Sequence, residues 1–212
     1  MEEVNAAPAV RRQGGPGIIL ASRSPRRKQI LEDLGLTVEC IAPGIDEETV
    51  VGGAELTPEE AALVLARAKA RKVSNRQERG LVIGADTMVV VGSCVLGKPR
   101  DEEDARRMLR RLSGSLHTVM TAVVVVDAER GCEAAEVCQT EVRMKSLSPE
   151  VIEAYIATGE CWDKAGSYAI QGKGGLLVET IRGSHFCVVG FPTHILDRLF
   201  AHLGYSIWHF ML

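Results

Sequence analysis

Residues 116–127 read Leu-His-Thr-Val-Met-Thr-Ala-Val-Val-Val-Val-Asp, a strongly β-branched stretch, and residues 134–146 return after a turn over 129–133. The pair reads as a long hairpin, which commits part of any sheet to antiparallel pairing. Elsewhere, strands alternate with helices. Residues 18–21 form a short apolar run suited to a buried strand. Ser24 is a helix cap with Pro25 at the first helical position, so a helix is expected to about Leu34, where Gly35 stops it. Residues 37–42 read as a strand and 43–56 as a loop rich in Gly and acid. Thr57, Pro58 and Glu60 make a capping-box start for a helix to about Ser74. Two β-rich runs, 81–85 and 87–91, are interrupted by the polar Asp86. Residues 101–112 form a charged amphipathic helix, residues 148–158 another, 176–181 a strand, and 192–204 a last helix. Strand–helix alternation around a long hairpin predicts an α/β fold with a mixed sheet.

A chain of 212 residues can bury a core without staples, and no internal repeat or low-complexity segment divides it. Its net charge of −3 gives no bulk attraction for nucleic acid or anionic membrane, so any anion site must be local. No apolar run reaches the roughly 18 residues of a membrane span. Six cysteines, at 40, 94, 132, 138, 161 and 187, form no Cys-x-x-Cys pair and have no histidine at zinc-ligand spacing. Dispersed thiols of this kind suit a reducing, cytoplasmic setting, with most of them buried as small apolar residues. Residues 1–17 lack the apolar stretch of a secretory signal and read as a disordered lead-in.

Several short polar signatures sit where the predicted strands end and helices begin, which is where open α/β sheets bind ligands. In Ser22-Arg23-Ser24-Pro25-Arg26-Arg27, a helix start offers free amides, and Arg26 and Arg27 either add planar donors that match phosphate oxygens or stay solvated on a capped surface helix. Asp46-Glu47-Glu48 follows a strand; an acidic loop is usually just solvated, but near phosphate its carboxylates hold Mg²⁺ or Mn²⁺. Lys69 borders the apolar stripe of Leu63, Ala66, Ala70 and Val73, and spacing alone leaves open whether it snorkels or meets a phosphate. In Gly84-Ala85-Asp86-Thr87 a lone aspartate lies between apolar runs; burying it unpaired is costly, which points to a metal, a water or a lysine partner, the alternative being a strand-end aspartate that closes a turn through its own backbone. Gly97-Lys98-Pro99 places a second cation in a tight turn. In the glycine-rich segment 163–175, Gln171 can both donate and accept, as reading a base edge requires. His117, His185 and His194 are isolated, and there is neither a Gly-x-Ser-x-Gly elbow nor a P-loop.

Taken in order, these segments resemble the Maf proteins, nucleoside triphosphate pyrophosphatases, over about residues 18–204. The matches are Ala21 to Arg27, Ile45-Asp46-Glu47, Ala66 to Ala70, Gly84 to Thr87, Gly97-Lys98-Pro99, Leu112-Ser113-Gly114, His117 to Thr121, Asp163 to Gly172 and Val188 to Pro192. The resemblance implies a Maf/ITPase-like fold, two lobes around a central twisted mixed sheet with a substrate cleft between them. It makes 18–204 one domain followed by a tail over 205–212, and it implies a homodimer. It also implies hydrolysis between the α- and β-phosphates of a nucleoside triphosphate with a divalent cation. By residue, it puts the general base on Asp86, with Lys69 and Lys98 as catalytic cations. The phosphate and substrate contacts fall on Ser22, Arg26, Arg27, Thr87 and Gln171, and the metal carboxylates on Glu47 and Asp86. Ile170-Gln171-Gly172 resembles the branch that prefers dTTP and UTP.

These residues set the expected chemistry. A divalent cation neutralises the phosphates, Asp86 orients or deprotonates water, and the basic side chains take up charge on the departing pyrophosphate. A regulatory module that binds nucleotide, linked to cell division and with little turnover, is the alternative; pyrophosphate release separates the two.

Overall fold

The computed structural model describes residues 16–53 and 55–211, so the lead-in expected over 1–17 falls almost wholly outside the described residues. Seven strands make one mixed sheet among the described residues: β1 (Ile18–Leu20), β2 (Val38–Cys40), β3 (Leu81–Val91), β4 (Cys94–Leu96), β5 (Leu116–Asp127), β6 (Cys132–Met144) and β7 (Val178–Arg182). The order is β2-β1-β3-β5-β6-β7, with β4 paired to the far end of β3. β1 runs parallel to β2 and β3, whereas the pairs β3–β5, β5–β6 and β6–β7 are antiparallel. The predicted hairpin is β5–β6, in register from Leu116 opposite Arg143 to Asp127 opposite Cys132.

Seven α-helices accompany the sheet among the described residues: α1 (Pro25–Asp33), α2 (Glu47–Val51), α3 (Pro58–Ser74), α4 (Glu102–Leu112), α5 (Pro149–Ile156), α6 (His185–Val189) and α7 (Thr193–His202). The capping box at Thr57 and Glu60 forms as read, each side chain accepting from the other residue's backbone N–H.

Alternation along the long strands sorts the core. On one face of β3, Leu81, Ile83 and Ala85 join Leu20, Leu31, Phe191, Leu196 and Phe200 in a first apolar cluster. Further along the same face, Val89 and Val91 join Leu109, Leu112, Val142, Met144 and Tyr155 in a second. Burying a large side chain of this kind contributes about 2–3 kcal/mol relative to exposure. These clusters are the two lobes, and β3, β5 and β6 run unbroken through both. On the opposite face, α3 lays Ala62, Ala66 and Ala70 on Ala122, Val124 and Val126.

Several expectations change. Asp86 does not interrupt a strand: β3 is continuous from Leu81 to Val91, and Asp86 lies mid-strand opposite Ala122, because its carboxylate finds a partner on α3. The loop expected over 43–56 contains α2, capped by Asp46, whose side chain accepts from the Glu48 N–H. The short α6 was not expected, and it ends at Gly190 in a left-handed conformation. On α3 it is Leu65, with Ala66, Ala70 and Val73, that is buried, whereas Leu63 is only partly covered.

Residues 205–211, expected as a tail, pack into the first lobe. Ile207 is buried, Phe210 meets Phe200 edge to face at 5.4 Å, and the Tyr205 hydroxyl donates to Asp127 at 2.8 Å. All six cysteines are free, with Cys138, Cys161 and Cys187 buried. No helix among the described residues is long and apolar enough to cross a membrane.

Candidate active site

The sheet is incomplete along one edge of β3. β1 pairs with Leu81–Ile83 and β4 with Val89–Val91, which leaves residues 84–88 with no strand on the side away from β5. A cleft of about 430 Å³ opens at this gap, and a hollow of about 240 Å³ adjoins it at the N-terminus of α1. Arg26, Arg27, Glu47, Lys69 and Lys98 line both spaces; Asp86, Thr87 and Gln171 line the first and Ser22 the second. All nine residues singled out in the sequence therefore meet around one continuous opening. Its place is the gap in the sheet edge, and not a strand end as the interrupted reading of β3 implied.

Gly84 sets the floor. A Cβ there would lie 2.3 Å from the Ala66 carbonyl oxygen and 2.7 Å from the Ala70 amide nitrogen, so only glycine lets α3 settle onto β3. The close approach delivers Lys69 from α3 to Asp86 on β3. The Lys69 ammonium sits 2.5 Å from Asp86 Oδ1 and 2.6 Å from Glu47 Oε1. Lys69 and Asp86 are both buried. Burial pushes the Asp86 carboxyl above its ordinary value, against the opposing pull of Lys69 and Arg27. Burial also acts upward on Glu47, but Lys69, Lys98 and Arg27 outweigh it and hold that carboxyl low.

Arg27 lines the opening and also has partners within the protein. Its Nε donates to the Gly190 carbonyl at 2.9 Å, Nη1 to the Ala85 carbonyl at 2.8 Å, and Nη2 to Thr87 Oγ1 at 3.1 Å. Ala85 lies in the stretch of β3 that lacks a neighbouring strand, so the guanidinium satisfies a carbonyl the sheet leaves open. Thr87 Oγ1 lies 2.9 Å from Thr121 Oγ1, which donates to the Cys187 carbonyl at 2.8 Å. Three of the five Arg27 donors are thus held by the protein, and Thr87 is part of the same network.

At the mouth, α1 has no acidic residue in its first turn, so its positive end is uncompensated. Ser24 caps it by accepting from the Arg27 N–H, and Ser22 Oγ accepts from the Ser24 N–H at 3.0 Å. Arg26 reaches across the opening to Asp163 at 2.8 Å, and Lys164 also pairs with Asp163. Burial alone would raise Asp163, but these two cations bring its carboxyl down to about 2. Lys98 follows β4, and the Gly97 carbonyl beside it accepts from the Gly166 N–H at 3.0 Å, tying the two strips of the far wall together. Gln171 is exposed, and its side chain makes no hydrogen bond among the described residues.

Glu47 and Asp86 each turn one oxygen to the Lys69 ammonium, and carboxylate oxygens are donors of the kind that Mg²⁺ or Mn²⁺ takes. No group of three or more His, Cys, Asp or Glu gathers at one point among the described residues. A divalent cation here would have two carboxylates at most and would need water and phosphate oxygens for the rest of its shell.

Sequence reading missed the apolar wall of Met88, Val89, Val188 and Val189, whose residue types look the same as core. It also missed the partner of His117. This buried ring places Nε2 2.8 Å from the Tyr168 hydroxyl at the wall, while Nδ1 has no partner among the described residues. Burial lowers the His117 pKa to about 4. Above pH 6.5 the ring is neutral folded and unfolded, and its share of stability is fully present. As pH falls from there the unfolded chain takes up a proton that the folded one refuses. Stability should therefore drop by about 3 kcal/mol in total by the time pH reaches about 4. Urea unfolding of the wild type and His117→Gln between pH 7 and pH 4.5 checks this, since the variant should lose that part of the slope.

The family model described as Maf-like protein matches residues 17–203. A protein of Moorella thermoacetica named dTTP/UTP pyrophosphatase is 47% identical over 90% of this chain and 97% of its own. Proteins of the same name from Thermococcus gammatolerans, at 48% identity over 90% of this chain and 98% of theirs, and from Dictyoglomus thermophilum, at 43% over 90% and 97%, are similarly related.

Proposed function

The chain belongs to the Maf-like protein family, and from that premise we propose that it hydrolyses dTTP and UTP to the monophosphate and pyrophosphate, clearing nucleotides from the pool. What most supports the reading is the cluster of Asp86, Lys69 and Glu47 on the floor of a cleft whose mouth holds Arg26 and Lys98. Water attacks the α-phosphorus, the α–β bridging bond breaks, and pyrophosphate leaves with its electrons. Asp86 accepts the proton of that water. A carboxyl whose pKa is raised by burial is a better base than a free aspartate, and Lys69 beside it favours the ionised form. Lys69, Lys98 and Arg26 stabilise the charge that builds on the leaving group. Arg27 holds the strand edge and Thr87 in place beneath the phosphates. Glu47 and Asp86 are the residues that would hold a divalent cation, which would supply neutralisation of the phosphate charge. The apolar wall takes the ribose and base, with Gln171 at its rim.

The test is a panel of UTP, dTTP, CTP, ATP and GTP with Mg²⁺ or Mn²⁺, scored for both products. Equimolar monophosphate and pyrophosphate from UTP and dTTP are expected. Release of orthophosphate and diphosphate would place cleavage at the wrong bond. Tight binding without release would make the protein a nucleotide-binding module.

A further inference from the structure

We propose that Glu160, with Tyr155, is a positioning pair that sets base preference by clamping residues 169–174. The inference rests on the reading above that this segment meets the base.

Gln171 projects from a segment with glycine at 172, 174 and 175, which should leave its backbone loose. It is nevertheless pinned on both sides. The Ala169 N–H donates to the Tyr155 hydroxyl at 3.0 Å. Beyond Gln171, the N–H groups of Lys173 and Gly174 donate to the two carboxylate oxygens of Glu160, each at 3.2 Å. Both anchors come from α5 and the turn that follows it. Thr158 holds that turn by donating to the Tyr155 carbonyl at 2.7 Å and accepting from the Glu160 N–H at 3.2 Å. A Cβ at Gly174 would lie 2.1 Å from the Ala169 carbonyl oxygen and 2.7 Å from the Tyr155 hydroxyl, so the two ends of the segment are closed tightly on each other.

The clamp matters because a glutamine amide can turn over. With its oxygen toward the ring nitrogen it suits uracil or thymine, and reversed it suits cytosine. The side chain alone therefore discriminates poorly. Backbone groups of 169–171 cannot turn over, and once fixed they favour one pattern of donors and acceptors. A carboxylate accepting two backbone N–H groups is a strong way to fix them.

The experiment compares UTP with CTP for wild type, Glu160→Ala, Glu160→Gln, Tyr155→Phe, Gln171→Ala and the Glu160→Ala/Gln171→Ala double variant, with thermal unfolding of each. Glu160→Ala should raise KM for UTP about tenfold, more than it lowers kcat, and cut the preference for UTP about tenfold. Glu160→Gln, which keeps one acceptor oxygen, should recover part of the loss, and Tyr155→Phe should show a smaller loss because its acceptor is neutral. If Glu160 acts through the segment bearing Gln171, the double variant should show less than the product of the two single effects. An equal fall in kcat for both nucleotides with preference intact, or fully multiplicative effects in the double variant, would overturn the clamp alone. A wild type that turns over neither nucleotide, or both equally, would overturn the reading beneath it and the clamp with it.

Discussion

Asp86→Asn should lower kcat for pyrophosphate release from UTP by about 10³-fold while the chain stays folded. Asparagine keeps the shape and an oxygen for the Lys69 ammonium, which still has Glu47 at 2.6 Å. The exchange therefore removes the base without leaving Lys69 unpaired, and unfolding should shift far less than if a buried pair were broken outright. The pH profile provides a second readout. Burial raises the Asp86 pKa, so the wild-type rate should climb with pH on the acid side as that carboxyl ionises, and the variant should lose this limb. Wild-type turnover in the variant would remove Asp86 from the reaction.

Gly84→Ala should destabilise the fold by about 3 kcal/mol or more and abolish activity with it. The added methyl would meet the Ala66 carbonyl at 2.3 Å, the Ala70 amide at 2.7 Å and the Ala70 Cβ at 2.9 Å. Backbone atoms of a helix cannot step aside as a flexible side chain can. Either α3 lifts from the sheet, which separates Lys69 from Asp86, or β3 bows. Gly17→Ala, with nothing within 4 Å, is the matched control and should change stability by no more than about 0.5 kcal/mol. Urea unfolding of both variants measures the difference, and a Gly84→Ala protein as stable as wild type would show that α3 packs less closely than described.

Local signals were easy to read where the physics is local. The β5–β6 hairpin announces itself through β-branched residues, and α3 through Thr57 and Glu60. Asp86 misled because an aspartate within an apolar strand is unfavourable on its own, and the lysine that makes it tolerable arrives from another element. The five-residue α2 is too short for periodicity to reveal. Nothing nearby in sequence shows that Arg27 also serves an unmatched carbonyl at Ala85. Glu160 gave no signal because both of its amide partners lie on a separate turn of the chain. The members of the site were thus legible as residue types, while the division of labour among them depends on contacts between distant segments.

Three strands cross from one lobe to the other without a break, so the two walls of the opening share a common ribbon of backbone. Any widening of the opening must therefore bend or twist that ribbon, since no loop among the described residues joins the two walls at this point to serve as a hinge.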